Sequence, residues 1–90
     1  MVERRLRAIS KRLRSLRDEI TVIDDQLAHL ADDADDAGIR ALVSETPGAG
    51  SAYREAKAHA DAMRGHRAHV VATIAELEMR QDELLDQLGP

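Results

Sequence analysis

Three of the four histidines lie in one stretch of the second half of the chain, at His59, His66 and His69. On a helix, His66 and His69 would share one side, where imidazole nitrogens can bind a transition metal. Metal sites inside helical bundles also use a Glu-x-x-His pair on each of two helices. The sequence lacks such pairs, so we expect neither a metal site nor a cofactor.

An acidic cluster is formed by Asp32, Asp33, Asp35 and Asp36. Carboxylates hold hard cations when a glycine-containing loop turns several of them towards one point. A helix would direct these four side chains to several sides. We interpret the acidic cluster as a solvated face, which could also serve as a docking surface.

Nucleophilic catalysis has no support in the residue types present. The chain has no cysteine, which excludes thiol chemistry and disulfides. The serines lack a convincing histidine and acid arrangement, and no glycine-rich phosphate loop follows a strand. We therefore expect no catalytic residue, no small-molecule substrate and no enzyme.

The sharpest charge feature is a basic block near the N-terminus. Its candidate phosphate contacts are Arg4, Arg5, Arg7, Lys11, Arg12 and Arg14. A basic helix can bind nucleic acid through phosphates. The formal net charge of −4 and the single aromatic residue count against this role. An adaptor associated with transcription or nucleic acid, using this block or the hairpin tip, remains the alternative function.

The amino-acid composition limits the folds that could position the histidines, the acidic cluster and the basic block. The chain has 90 residues, of which 43% are hydrophobic and 1% aromatic, and it contains no Phe or Trp. Cores without rings are typical of helix seams built from Leu, Ile, Val and Ala. No stretch approaches the ~18 apolar residues of a membrane span, and no signal peptide is recognisable. We expect a soluble cytoplasmic protein and no membrane partner.

Two heptad seams run through the sequence. In the first, apolar residues recur at alternating steps of three and four: Leu6, Ile9, Leu13, Leu16, Ile20, Ile23, Leu27, Leu30, Ala34 and Ala37. The second consists of Tyr53, Ala56, Ala60, Met63, Arg67, Val70, Ile74, Leu77, Gln81, Leu84 and Leu88. Its polar members, Arg67 and Gln81, are typical of residues that set register, and Arg67 could reach Glu19 or Asp24.

The seams predict an all-α fold, an antiparallel two-helix coiled-coil hairpin forming a single domain over 1–90. Helix 1 is expected at about 3–43, the turn at about 44–50 and helix 2 at about 51–88. Thr46 and Pro47 are typical of a helix start. Residues 38–43 leave the heptad phase. They are predicted to continue helix 1, with Ile39 and Val43 covering the hairpin end, or else to form a separate short helix.

The charge distribution supports antiparallel pairing. Residues 1–17 carry net +6, 18–36 carry −8, 37–75 carry +2 and 76–90 carry −4. Folding back near residue 45 pairs residues whose numbers sum to about 90, and it places blocks of opposite sign together. A parallel pairing of helix 1 with itself would place like charges together.

Small residues line the face of helix 2 that is turned away from its seam. The candidate dimer interface is Ala58, Ala62, Gly65, Ala68, Ala72, Ala75 and Met79. Small side chains let a second helix approach closely, although alanine is also simply the best helix former. We expect a homodimer that forms a four-helix bundle, and a non-catalytic protein–protein interaction or scaffolding module with an unidentified protein partner.

Three resemblances accompany this interpretation. Leu16–Leu27 resembles the opening helix of the all-helical chorismate mutases, which implies that Arg17 would help hold a substrate carboxylate, but the family's next arginine falls at Ala34. Ala52–Lys57 resembles the start of the second helix in the hairpin of the Gre transcript-cleavage factors. That resemblance implies docking to RNA polymerase, but the tip, 46–50, lacks the acidic residues that hold their metal ion. Most of the chain resembles small uncharacterised actinobacterial coiled-coil proteins, which implies a helical hairpin and no activity.

Overall fold

Two long helices make up the described part of the chain. The computed structural model describes residues 1–89, with α1 at Val2–Val43 and α2 at Pro47–Leu88, and no strand occurs between residues 1 and 89. Each helix has 42 residues, and together they form a rod of 69 × 15 × 15 Å. The all-α helical hairpin predicted from the seams is confirmed.

The antiparallel register is visible in three contacts spread along the rod. They join Gly38 with Tyr53, Asp24 with Arg67, and Ser10 with Gln81. In each pair the residue numbers sum to 91, one more than the sum expected from the heptads. The two seams therefore face each other from the turn to the open end of the hairpin.

The core is a single line of apolar side chains between the helices. Its buried members are Leu13, Leu16, Ile23, Ala34 and Ala37 of α1 and Ala60, Val70 and Leu84 of α2. All of them belong to the two predicted seams, and Leu16, Ile23 and Val70 pack together at its centre. Because two helices cover only one side of each other, most other seam residues stay half-buried.

The turn is shorter than the sequence predicted. The linker is Ser44–Thr46, and α2 begins at Pro47, so the predicted turn at 44–50 and helix start at 51 are corrected. Proline favours the first helical position because its φ is already helical and its missing N–H would have no partner there. Gly48 and Gly50 then lie within the first turns of α2, at a cost of about 1 kcal/mol each relative to alanine.

The helix before the turn, α1, continues without a break through residues 38–43. The expectation that Ile39 and Val43 cover the hairpin end is wrong, because their exposed fractions are 61% and 78%. Both side chains have left the seam phase.

Adjacent valines at the centre of α2 test the seam directly. Val70 is 3% exposed and Val71 is 43% exposed. Val70→Ala should lower the free energy of unfolding by about 2 kcal/mol, since two methyl groups leave the core and a cavity remains. At protein concentrations low enough for the hairpin to be monomeric, Val71→Ala should change it by less than about 0.5 kcal/mol, because alanine also favours the helix. Urea unfolding followed by circular dichroism measures both, and equal losses would contradict the assigned seam.

Candidate functional site

The first polar position of the second seam is tied across the hairpin. Arg67 Nε donates a hydrogen bond to Asp24 Oδ1 at 2.6 Å, and its Nη2 donates to Oδ2 at 3.4 Å. The hydrogen bond lowers the pKa of the Asp24 carboxyl below its ordinary value; partial desolvation opposes the shift and the charge of Arg67 adds to it. His66, the residue before Arg67, has its Nε2 3.3 Å from Glu19 Oε1. These groups therefore hold the two helices in register.

The second polar position has the same role nearer the open end. Gln81 Nε2 donates a hydrogen bond to Ser10 Oγ at 3.4 Å, and both residues are half-buried. Among the side chains of residues 1–89, no buried nitrogen or oxygen atom lacks a hydrogen-bond partner. Polar residues at such positions favour one register over others. Neither Arg67 nor Gln81 is left free for chemistry.

The small-residue face of α2 is fully presented to solvent. Its members are Ala58, Ala62, Gly65, Ala68, Ala72, Ala75 and Met79, and each is exposed. Ala58 and Ala62 also line a groove of about 430 Å³ between the helices, together with His59 and His66. The structure thus places the candidate dimer interface on one continuous outer face, which we call the α2 face.

An ion-pair cluster flanks the α2 face near its start. Asp61 lies 3.0 Å from Lys57 Nζ and 2.9 Å from Arg64 Nη1, both on the same helix. The hydrogen bond from Lys57 is the main cause that lowers the pKa of the Asp61 carboxyl. Two of the basic groups of this half of α2 are therefore already engaged within the helix.

The basic block stands on the outer side of α1. Its candidate phosphate contacts, Arg4, Arg5, Arg7, Lys11, Arg12 and Arg14, are all exposed. Within residues 1–89, none of them forms an ion pair of 4.0 Å or less with the acidic residues near the end of α2. The observed register does place the two blocks alongside each other, but most of their side chains occupy outward heptad positions and do not meet across the hairpin.

The acidic cluster is also exposed along its length. In the described part of the chain, no group of three or more histidine, aspartate or glutamate side chains is arranged to hold a metal ion. His66 is engaged by Glu19 rather than placed beside the carboxylates of this cluster. His59, by contrast, lines one groove between the helices together with Asp33 of the acidic cluster.

An apolar cluster at the hairpin tip was not anticipated as a surface. Ile39, Leu42 and Val43 are all exposed, and Leu42 is 88% exposed. Beside them lies a groove of about 600 Å³ whose lining includes Tyr53 and Gly38. A Cβ atom on Gly38 would lie 3.1 Å from Tyr53 Cε1, so glycine allows this ring to approach α1. The signal in the sequence was the loss of heptad phase after residue 37, which turns apolar side chains outward.

Asp24 and its neighbour Asp25 test the Arg67 ion pair. Because the folded pKa of Asp24 lies below its value in the unfolded chain, the stabilisation is complete above pH ~4 and is lost as pH falls through the folded pKa. Asp24→Asn should therefore melt at a lower temperature than the parent at pH 7 and at the same temperature near pH ~2.

Asp25→Asn is the matched control, since Asp25 is exposed and forms no ion pair within residues 1–89. Melting curves by circular dichroism at each pH measure the difference. A pH-independent deficit in Asp24→Asn, or an equal deficit in Asp25→Asn, would contradict the role assigned to the ion pair.

Comparison with known proteins gives no match. No family model, no curated protein and no solved structure matches the chain. Within residues 1–89, neither helix is long and apolar enough to cross a membrane. The function is therefore argued from the surfaces of the hairpin itself.

Proposed function

We propose that this protein is a non-catalytic protein–protein interaction or scaffolding module. The observation that carries the proposal is the exposure of large apolar side chains outside the seam on both helices. They are Val22, Ile39, Leu42, Val43, Val71, Met79 and Leu85. Ile39, Leu42 and Val43 lie close together at the hairpin tip, and an exposed apolar cluster of this kind is typical of interaction sites.

The polar groups support the same proposal. Arg67 and Gln81, the charged and amide groups nearest the core, are hydrogen-bonded across the hairpin. Their placement stabilises one register of a long, narrow rod. Such a rod offers extended surface to other helices. We propose that the module acts in the cytoplasm, where its partner is another protein.

The homodimer forms through the α2 face in this proposal. Small side chains there allow close approach of a second helix, and exposed Val71 and Leu85 flank the seam on the same helix. In a four-helix bundle, residues beside the seam turn inward and become part of a shared core. Two hairpins joined in this way would cover apolar surface that one hairpin exposes.

Ala72→Glu tests the α2 face. A buried charge at the centre of this interface lacks a partner, so the variant should sediment as a monomer while retaining its helix content. Ala52→Glu places the same charge at an exposed position of α2 outside the face and should sediment like the parent. Sedimentation equilibrium at 500 mM salt measures the mass. An unchanged mass for Ala72→Glu would exclude the α2 face as the dimer interface.

Nucleic-acid binding is a second candidate function. One observation favours it: the arginines of the basic block are exposed and without an ion pair to the acidic residues of α2. Phosphates would supply the missing negative charge. Under this alternative the protein is an adaptor that uses the start of α1.

Salt dependence separates the two candidates. Phosphate contacts release counterions, so affinity for DNA or RNA should fall at least about tenfold between 50 and 200 mM salt if three or more of these side chains take part. Arg12→Ala with Arg14→Ala should reduce that slope. Fluorescence anisotropy with labelled oligonucleotides measures both. An absence of binding at 50 mM salt would exclude this second candidate.

A further inference from the structure

Apolar side chains are exposed at both ends of the outer side of α1. Met1 is 88% exposed at the start, and Ile39, Leu42 and Val43 are exposed at the end. In the heptad frame of the first seam, these residues occupy outward positions, as does exposed Val22 near the middle. The two ends lie about 60 Å apart along a rigid helix, so they cannot cover each other within one chain.

Charges of opposite sign accompany these two ends. Arg4, Arg5 and Arg7 recur four heptads later as Asp32, Asp33 and Asp35, so both sets occupy the same positions relative to the seam. All six are exposed, and none forms an ion pair within residues 1–89. About 42 Å of helix separates the two sets. Each set is therefore available to a partner and unavailable to the other.

We propose that a second copy of this chain binds antiparallel along the outer side of α1. With a two-fold axis near residue 20, Arg4 lies opposite Asp36 of the second copy, and Arg7 lies opposite Asp33 of the second copy. Met1 then meets the apolar cluster at the other copy's hairpin tip. Each contact occurs twice, because an interface of this symmetry uses the same surface on both molecules.

Charge complementarity favours the α1 helix of a second copy over its α2 helix as the partner of this surface. In the antiparallel arrangement the basic end of one α1 meets the acidic half of the other, whereas a parallel arrangement opposes like charges. The outer side of α2 is a poorer complement because Lys57 and Arg64 are already paired with Asp61. Taken alone, an α1–α1 contact also closes as a two-fold dimer, while a head-to-tail α1–α2 contact generates rings or open chains.

The α1 interface goes beyond the proposed function because it lies on the helix opposite the α2 face. The two interfaces are separable by salt. Salt screens the attraction between exposed charges over a distance of about 10 Å at 0.1 M ionic strength. The affinity of the α1 contact should therefore fall strongly as the salt concentration rises. The α2 contact is apolar and should persist.

The experiment uses charge reversal in the Ala72→Glu background, which removes the α2 contact. One variant carries Arg4→Glu, Arg5→Glu and Arg7→Glu, and the other carries Asp33→Lys, Asp35→Lys and Asp36→Lys, which are the residues opposite them in the proposed register. At 50 mM salt the background protein should dimerise, and each variant alone should bind itself at least tenfold more weakly. An equimolar mixture of the two should form a heterodimer, which sedimentation velocity with one labelled variant detects.

Two controls keep the result specific. Glu78→Lys, Asp82→Lys and Glu83→Lys reverse three exposed charges on α2 and should leave the dissociation constant within about threefold of the background. A chain that carries all six α1 reversals should dimerise again. Its dimerisation would also show that the substituted chain still folds. Circular dichroism verifies helix content in every variant.

Three outcomes would overturn the proposal. The first is an Ala72→Glu background that is monomeric at 50 mM salt, which would leave the α2 face as the dimer interface. The second is a mixture of folded variants that stays monomeric. The third is association that nuclease treatment abolishes, which would assign the arginines to nucleic acid.

Discussion

The structure depends on one line of apolar contacts between two helices. Leu16 and Ile23 of α1 pack against Val70 of α2 at the centre of the rod, and the same pattern continues towards both ends. Most helical stability in proteins comes from packing of an apolar face rather than from intrinsic propensity. Every surface feature of the molecule takes its position from this seam.

The seam also explains how the polar residues are divided. Those at seam positions, Arg67 and Gln81, are satisfied across the hairpin and specify its register. Most other charged groups point outward, where water and other molecules compete for them. The rod therefore has one inner contact and two outer sides that differ in character. The outer side of α2 carries small apolar residues, and the outer side of α1 is strongly charged.

The sequence predicted some parts of this arrangement much better than others. Heptad spacing located all the buried residues, because burial in a two-helix contact follows the period directly. The sequence identified Thr46 and Pro47 as typical of a helix start but placed helix 2 at about 51, because glycines weaken a helix; α2 instead continues from Pro47 through Gly48 and Gly50. The sequence did not predict the exposure of Leu42 or the missing ion pairs of Arg4. Both result from side chains that point outward, and neither composition nor the net charge of a segment describes side-chain direction.

The most direct test of the account is a distance within one chain, measured by pulsed electron paramagnetic resonance. The chain has no cysteine, so labels at Arg12→Cys and Glu76→Cys are specific. Helices packed 8–10 Å apart predict a label separation below about 30 Å, unchanged when excess unlabelled protein is added. A separation near about 95 Å, as one continuous helix would give, or a short distance lost on dilution, would contradict the hairpin.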